Sequence, residues 1–460
     1  MTDQGDIAIA SAYRLPGNRS RIAIVSTYDE LCGIAGYTRA LEKQLAPYAD
    51  LKIFDLDQYL LKGKHRRLRQ LADQHIKEIA SELRGFDSVN IQLEHGTLGR
   101  NSREIMRRFR MLADAAPALS VTFHTVMVSE GFPFELVGRH LVKGKFPSIG
   151  KAIDMAIKSH VLSHGIYGRL RRLQGKKPVS IIVHAKRDAR MMRDAFRLKN
   201  VYHHPLSFIS RDDAVATRQR TSRSDFPLIE TLPAEARLIG TFGFLSSYKG
   251  FETAIRAMKF LPDNYHLLIF GGIHPQGIKR EQPIDPYILK LLQTARIGQT
   301  PLDHLKESGV ALSPGGDVER LIGEHPETLQ NRVHFMGALS DDQFFSAMAL
   351  CDATVFPYME VGQSSSGPIS IALEMGARVI ASRTAAFRAY ARYHPEMIEF
   401  FDIGNYAELA NRIMARGRTS GRIPTLTHNT DTNTTMYLEA NGADPDMVHA
   451  NARIVREAAE

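Results

Sequence analysis

The sequence is poor in cysteine. Cys32 and Cys351 are the only two in 460 residues, too few for a disulfide framework or a cysteine-built zinc site, and the scarcity fits a reducing compartment. Long hydrophobic runs are also lacking: no window approaches the roughly 20 apolar residues that cross a bilayer. Residues 1–20 carry no apolar h-region, so no signal peptide is expected and the chain reads as cytoplasmic. Tryptophan is absent. Low-complexity tracts and repeats of fixed period are missing too.

What is present is ordinary globular composition, 43% hydrophobic and 24% charged. A chain of 460 residues exceeds one compact core, so two domains are expected. The net charge of +9 suits nucleic acid, anionic lipid or phosphorylated substrates. The excess is local. Residues 139–177 hold ten Lys or Arg against one acid, Asp154, and Lys62, Lys64, Arg66, Arg67 and Arg69 form a second cluster. Solvated helix faces explain such clusters equally well. No nucleic-acid motif or interleaved aromatics accompany them, so no nucleic-acid partner is expected.

Short β-branched runs alternate with helical patterns throughout. Strands are predicted at 21–27, 51–56, 88–94, 119–125 and 179–185, then at 238–244, 266–272, 332–337, 353–358, 378–382 and 398–403. Several are almost wholly apolar, which marks strands buried on both faces of parallel sheets. The fold class read from this is α/β, two doubly wound Rossmann-like domains facing a central cleft at the carboxyl ends of both sheets. The boundaries follow as a tail over 1–20, a first domain over 21–210, a linker over 211–234, a second domain over 235–416 and a tail over 417–460. That tail is polar, rich in Thr and Asn, before a helical pattern over 446–459; it reads either as a loose end or as a helix packing back across the first domain.

The sharpest local feature runs from Gln363 through Ser364, Ser365, Ser366, Gly367 and Pro368 to Glu374. Ser366 or Gly367 suits an N-cap and Pro368 the first helical turn. A small-residue loop that opens a helix after a strand aims backbone N–H groups and the dipole at an anion. Glu374 then lies roughly 9 Å along the helix axis from Pro368, where its carboxylate suits the two hydroxyls of a ribose. A plain capped helix with an exposed Glu is the competing reading. A second element, Thr241 to Gly250, follows another buried strand. Gly243 admits close approach of a ligand, and Lys249 is a point charge suited to a diphosphate.

Together these segments resemble the retaining glycosyltransferases of the GT-B fold, family 4, in order from about residue 21 to 416. Cys32 to Thr38, with Gly33, Gly36 and Tyr37, looks like the family's loop after the first strand. Val121 to Thr125 looks like the strand that ends in a histidine, here His124. The triplet His203, His204, Pro205 resembles the close of the first domain. Phe242 to Gly250, Ile269 to Gly272, Val333 to Gly337 with Met336, the Cys351–Asp352–Ala353 run and Ser366 to Glu374 complete the series. The resemblance implies His124, Lys249 and Glu374 at the reacting end. It implies a donor site of Gly33, Gly36, Gly243, Phe244, Lys249, Gly272, Met336, Gly337, Ser364, Ser365, Ser366, Gly367 and Glu374, with Tyr37, His95 and His204 toward the acceptor. Two positions depart from the pattern: Phe244 replaces a common Arg, and Ser366 replaces the first of two Glu.

The resemblance further implies transfer of a hexose from a nucleotide-sugar with retention of configuration, no obligatory metal and no separate cofactor. The acceptor expected is a glycan or lipid-linked oligosaccharide of surface polysaccharide synthesis. Residues 149–173, which mix apolar positions with Lys151, Lys158 and Arg169, suggest an interfacial helix at the anionic inner face of a membrane. Asp55 and Asp57 form a D-x-D in the first domain and read as incidental; no other His, Asp or Glu cluster has metal-ligand spacing. His184 and Lys186, after another strand, read as cleft-facing or as plain loop residues. A sugar-nucleotide epimerase and a catalytically impaired relative are the alternatives.

Overall fold

The computed structural model describes residues 19–30, 32–94, 96–126, 162–273, 285–295, 329, 331–415 and 421–447. Among the described residues twelve strands form two parallel sheets of six. The first has the order β2-β1-β3-β4-β5-β6, from β1 (Arg21–Ser26), β2 (Asp50–Asp55), β3 (Ser88–Leu93), β4 (Ala118–Phe123), β5 (Val179–Val183) and β6 (Val201–His203). The second has the order β12-β11-β10-β7-β8-β9, from β7 (Arg237–Phe242), β8 (Tyr265–Phe270), β9 (Val333–Gly337), β10 (Ala353–Phe356), β11 (Val379–Ser382) and β12 (Ile398–Phe401). The expected α/β architecture of two doubly wound sheets is therefore present. All eleven predicted strands form within a few residues of their expected ends. The twelfth, β6, has only three half-buried residues, too few to leave a pattern.

Helices cover both faces of each sheet. In the first, Val89, Ile91, Leu119, Val121 and Phe123 pack under the helices Arg66–Glu82 and Ser102–Ala115 and the helical residues 162–174. Each such side chain, fully buried, contributes about 1.5–3 kcal/mol. The alternate residues of β3 and β4 (Asn90, Gln92, Ser120 and Thr122) are polar yet equally buried on the opposite face. That face is covered by the helix Gly33–Leu45 and by a helix returning from the end of the chain, Thr430–Ala440.

The second of these corrects a sequence expectation. The tail does pack back across the first unit, but through its Thr- and Asn-rich part rather than through 446–459, most of which lies outside the described residues. Asn429 and Thr432 form a capping box, and Thr434 and Thr435 return their hydroxyls to the carbonyls four residues earlier, at 2.7 and 2.9 Å. Those bonds let polar residues sit inside a helix without competing with its ladder.

The stretch over 211–234 is also more than a linker. Ser210 accepts from the Asp213 amide at 3.1 Å and starts the helix Arg211–Arg220. Ala214, Phe226 and Ile229 are buried in the core of the second sheet, and Arg218 donates to the Met375 carbonyl at 2.7 Å. The chain passes between units over residues 204–210, immediately after β6. Of the basic segment at 149–173, residues up to 161 lie outside the description. Among the described residues no helix is long and apolar enough to cross a membrane.

Candidate active site

Each sheet has a point where the chain reverses its direction of growth. In the first it runs outward from β1 to β2 and returns to β3 on the other side of β1; in the second it runs from β7 through β8 to β9 and returns to β10 beside β7. Loops leaving the carboxyl ends of such neighbouring strands diverge and open a crevice. The loop after β7 carries Gly243 and Lys249. The loop after β10 carries Tyr358 and the serines.

Lys249 is held by glycine. At Gly243, φ is +127° and a Cβ would stand 3.0 Å from the Lys249 Cε, so the lysine stem lies directly across the bare backbone. At Gly271 a Cβ would stand 1.8 Å from the Gly243 carbonyl oxygen; the loops after β7 and β8 touch main chain to main chain. The Lys249 ammonium lies 4.0 Å from the Tyr358 ring centroid and donates to the Tyr358 hydroxyl. That hydroxyl is 3.2 Å from Ser366 Oγ. Ser366 stands at the N-cap of the helix Gly367–Glu374 without a side-chain capping bond. Among the described residues no carboxylate pairs with Lys249. Burial alone pulls its amine down to about 7. Among the described residues this buried amine lies beside a helix N-terminus without an anion, surroundings that suit one.

The serine loop reaches the first unit. Ser364 Oγ accepts from the Val126 amide at 3.3 Å and also bonds Asp188. Ser365 donates to the His124 carbonyl at 3.5 Å. Asp188 is buried, its Oδ2 without a partner among the described residues, and burial raises its carboxyl. At the rim Arg39 pairs with Asp341 at 2.8 Å. A Cβ at Gly36 would lie 3.6 Å from the same carboxylate, and Gly33 faces open space.

His124 lies at the end of β4, buried, with Nε2 2.8 Å from Gln92 Oε1. Desolvation, then the neighbouring His184, depresses its basicity well below the usual histidine range. The two rings lie 5.2 Å apart. His184 is buried beside His124, and its Nε2 has no partner among the described residues.

The structure thus brings together Gly243, Lys249, Ser364, Ser365, Ser366 and His124. It places others elsewhere. Glu374 ends its helix, roughly 12 Å of axial rise from Ser366. Its carboxylate accepts from the Ser207 hydroxyl at 2.6 Å, the Phe208 amide at 3.0 Å and the Ile209 amide at 3.3 Å. Burial pushes it up to about 8, against the pull of those donors. It anchors the segment joining the units, and ribose hydroxyls would have to displace those bonds. Tyr37 is interior: its hydroxyl lies 3.4 Å from both Asn433 and Tyr437, and the expected acceptor role has no exposed surface to act through. His204 turns Nε2 to Thr432 at 2.8 Å, and burial lowers it to about 3; it too serves the returning helix rather than the cleft. His95 lies outside the described residues. Phe244 is half-buried beside Gly243; Gly272 packs against Ala338, and Met336 and Gly337 end the edge strand β9. Sequence reasoning missed Tyr358, Asp188 and Gln92. Asp188 opens a helix near the singled-out Lys186, but nothing local marks Tyr358 or Gln92.

Among solved structures, sucrose-phosphate synthase (tll1590) from Thermosynechococcus elongatus aligns with a TM-score of 0.52 at 16% identity, over 96% of this chain and 100% of that one. The fold is GT-B. An α,α-trehalose-phosphate synthase (UDP-forming) from Burkholderia vietnamiensis aligns with a TM-score of 0.52 at 10% identity, over 96% and 99% of the two chains. No protein-family model matches the chain, and no curated protein matches its sequence. In this GT-B frame Lys249 stands in the carboxyl-end crevice of the second sheet and His124 in that of the first. Among the described residues no three His, Cys, Asp or Glu side chains are grouped to hold a metal.

Proposed function

We propose that this protein is a glycosyltransferase that moves a hexose from a nucleoside-diphosphate sugar to a glycan or lipid-linked acceptor with retention of configuration. The observation that carries the reading is Lys249: a buried ammonium without a carboxylate partner among the described residues, laid over Gly243 and linked through Tyr358 to the helix start at Ser366. A diphosphate supplies the anion that this site lacks. In the reaction the bond from the sugar anomeric carbon to the diphosphate oxygen breaks, and the acceptor oxygen bonds to that carbon from the same face. The acceptor hydroxyl proton passes to the departing diphosphate. Lys249 and the helix N-terminus stabilise the charge that grows there, which lowers the barrier because the charge is larger in the transition state than in the bound donor. His124 faces the sugar from the first unit, and the serine loop between the units excludes water. No metal or separate cofactor is required on this reading.

The exposed cations Lys64, Arg66, Arg67 and Arg69 favour an anionic acceptor or an acceptor at an anionic membrane face in the cytoplasm. The trehalose-phosphate synthase is named as UDP-forming, so UDP-sugars head the donor screen. The test is release of nucleoside diphosphate from UDP-, GDP- and ADP-hexoses with and without candidate acceptors, in the presence of a chelator. Acceptor-dependent release supports transfer. Isomerised donor without acceptor would make the protein an epimerase. The engagement of Glu374 by the connecting segment, with Ser366 in place of an acid, favours a second reading: a nucleotide binder impaired in transfer, seen as binding without release.

A further inference from the structure

We propose that Gln92 is a positioning residue that locks His124 in one neutral tautomer, with the proton on Nε2 and a lone pair on Nδ1, through a hydrogen-bond chain that begins on the returning helix. The role given to His124 rests on the proposed function; the assignment of donors and acceptors does not.

The chain can be followed from its fixed end. A backbone carbonyl only accepts, so Asn441 must turn Nδ2 toward the Tyr437 carbonyl, 2.7 Å away. Its Oδ1 is then an acceptor, and Ser120 Oγ, at 2.9 Å, must give it its single proton. Ser120 Oγ is thereby left to accept from Asn90 Nδ2 at 2.7 Å. Asn90 Oδ1 stands 2.6 Å from Gln92 and must receive the Gln92 Nε2–H. That leaves Gln92 Oε1, an acceptor, facing His124 Nε2 at 2.8 Å. The imidazole has to donate. Reversing any link sets two donors or two acceptors against each other in a buried layer, at about 1–3 kcal/mol.

His184 is fixed the opposite way round. Its Nδ1 donates to the His204 carbonyl at 3.1 Å, and its buried Nε2 has no partner among the described residues. Burial keeps both rings neutral, His184 lowered to about 4. Each imidazole therefore keeps one lone pair, on Nδ1 of His124 and on Nε2 of His184. An imidazolium offers only donors.

The test is a long-range proton–nitrogen correlation spectrum of imidazole-labelled protein without nucleotide-sugar, with His124 signals identified by their loss in His124→Asn. The expected result is a single tautomer, Nε2 protonated and Nδ1 bare. Gln92→Met is expected to give mixed tautomers at His124, with the His184 pattern kept, and Gln92→Glu to restore the Nε2 proton. A wild-type His124 protonated on Nδ1, or divided between tautomers, overturns the proposal even if no variant folds. An unchanged tautomer in folded Gln92→Met overturns it as well. Turnover plays no part, so an inactive protein would refute the proposed function and leave this result standing.

Discussion

Lys249 allows the anion reading to be tested through protons. Its folded-state value near 7 lies below the unfolded 10.5, so the native state binds fewer protons than the unfolded chain between those pH values. Its contribution to stability is therefore greatest above pH 10.5 and is lost as pH falls toward 7. A diphosphate at the ammonium reverses the preference, since anion binding favours the charged form. Above pH 7 the terminal phosphate is already ionised, so binding must draw a proton onto Lys249. The apparent Kd of UDP should scale as one plus ten to the power of pH minus about seven. It rises about tenfold per pH unit until it meets the affinity of Lys249→Met. A hydrogen bond to a charged group contributes about 1.5–3 kcal/mol, which sets that plateau at about 10- to 150-fold weaker. Titration calorimetry of UDP between pH 6.5 and 9, in buffers of different ionisation enthalpy, reads both quantities. An affinity flat across that range, with no proton uptake, would refute the reasoning. Lys249→Met should abolish the pH dependence of binding and melt at a higher temperature near pH 7, because it removes a desolvated amine.

The other predictions concern packing. Glu374→Gln puts an amide where two backbone N–H groups point, so it should cost about 1–3 kcal/mol in urea unfolding; an unchanged midpoint would mean that the anchor at Ser207 to Ile209 does not form in solution. Gly271→Ala sets a Cβ 1.8 Å from the Gly243 carbonyl, and it should cost about 1–3 kcal/mol and weaken UDP binding by displacing Lys249, read by melting temperature and calorimetry. Tyr437→Ala removes a fully buried ring from beneath the first sheet and should cost about 3–5 kcal/mol, with the returning helix gaining amide exchange first.

The frame of the molecule was legible because its strands are buried on both faces. Ile22 to Val25 and Leu267 to Phe270 are continuous apolar runs, and all are inaccessible to solvent. The loop positions were legible because strand ends and glycines mark them: Gly243, Lys249 and Ser366 lie at the second sheet's reversal point. The returning helix was not legible. Apolar periodicity reports helices that pack on apolar surfaces, and Thr430–Ala440 with its C-cap Asn441 meets Gln92, Thr122 and Ser120. Its Asn433 and Thr434 are buried for the same reason that they look exposed in sequence. The orientation of Glu374 was equally hidden, since its partners lie some 165 residues earlier in the chain.

Lys249 and Glu374 together argue where function lies. Both are buried, and among the described residues neither has a partner of opposite charge. Desolvating an unpaired ion costs several kcal/mol, so a fold keeps one only with compensation or use. For Glu374 the compensation is visible: three main-chain and side-chain donors, all from the segment that joins the two units. It holds the crossing in place, and its burial is structural. For Lys249 the only donor–acceptor partner among the described residues is a tyrosine hydroxyl, with the ring face beside it. A neutral phenol and a ring offer the ammonium one acceptor oxygen, where Glu374 receives from three donors. Methionine would fill the same space without the charge. The cost of the lysine is accounted for if an anion completes the site, and the crevice between β7 and β10 is where the fold would bring it.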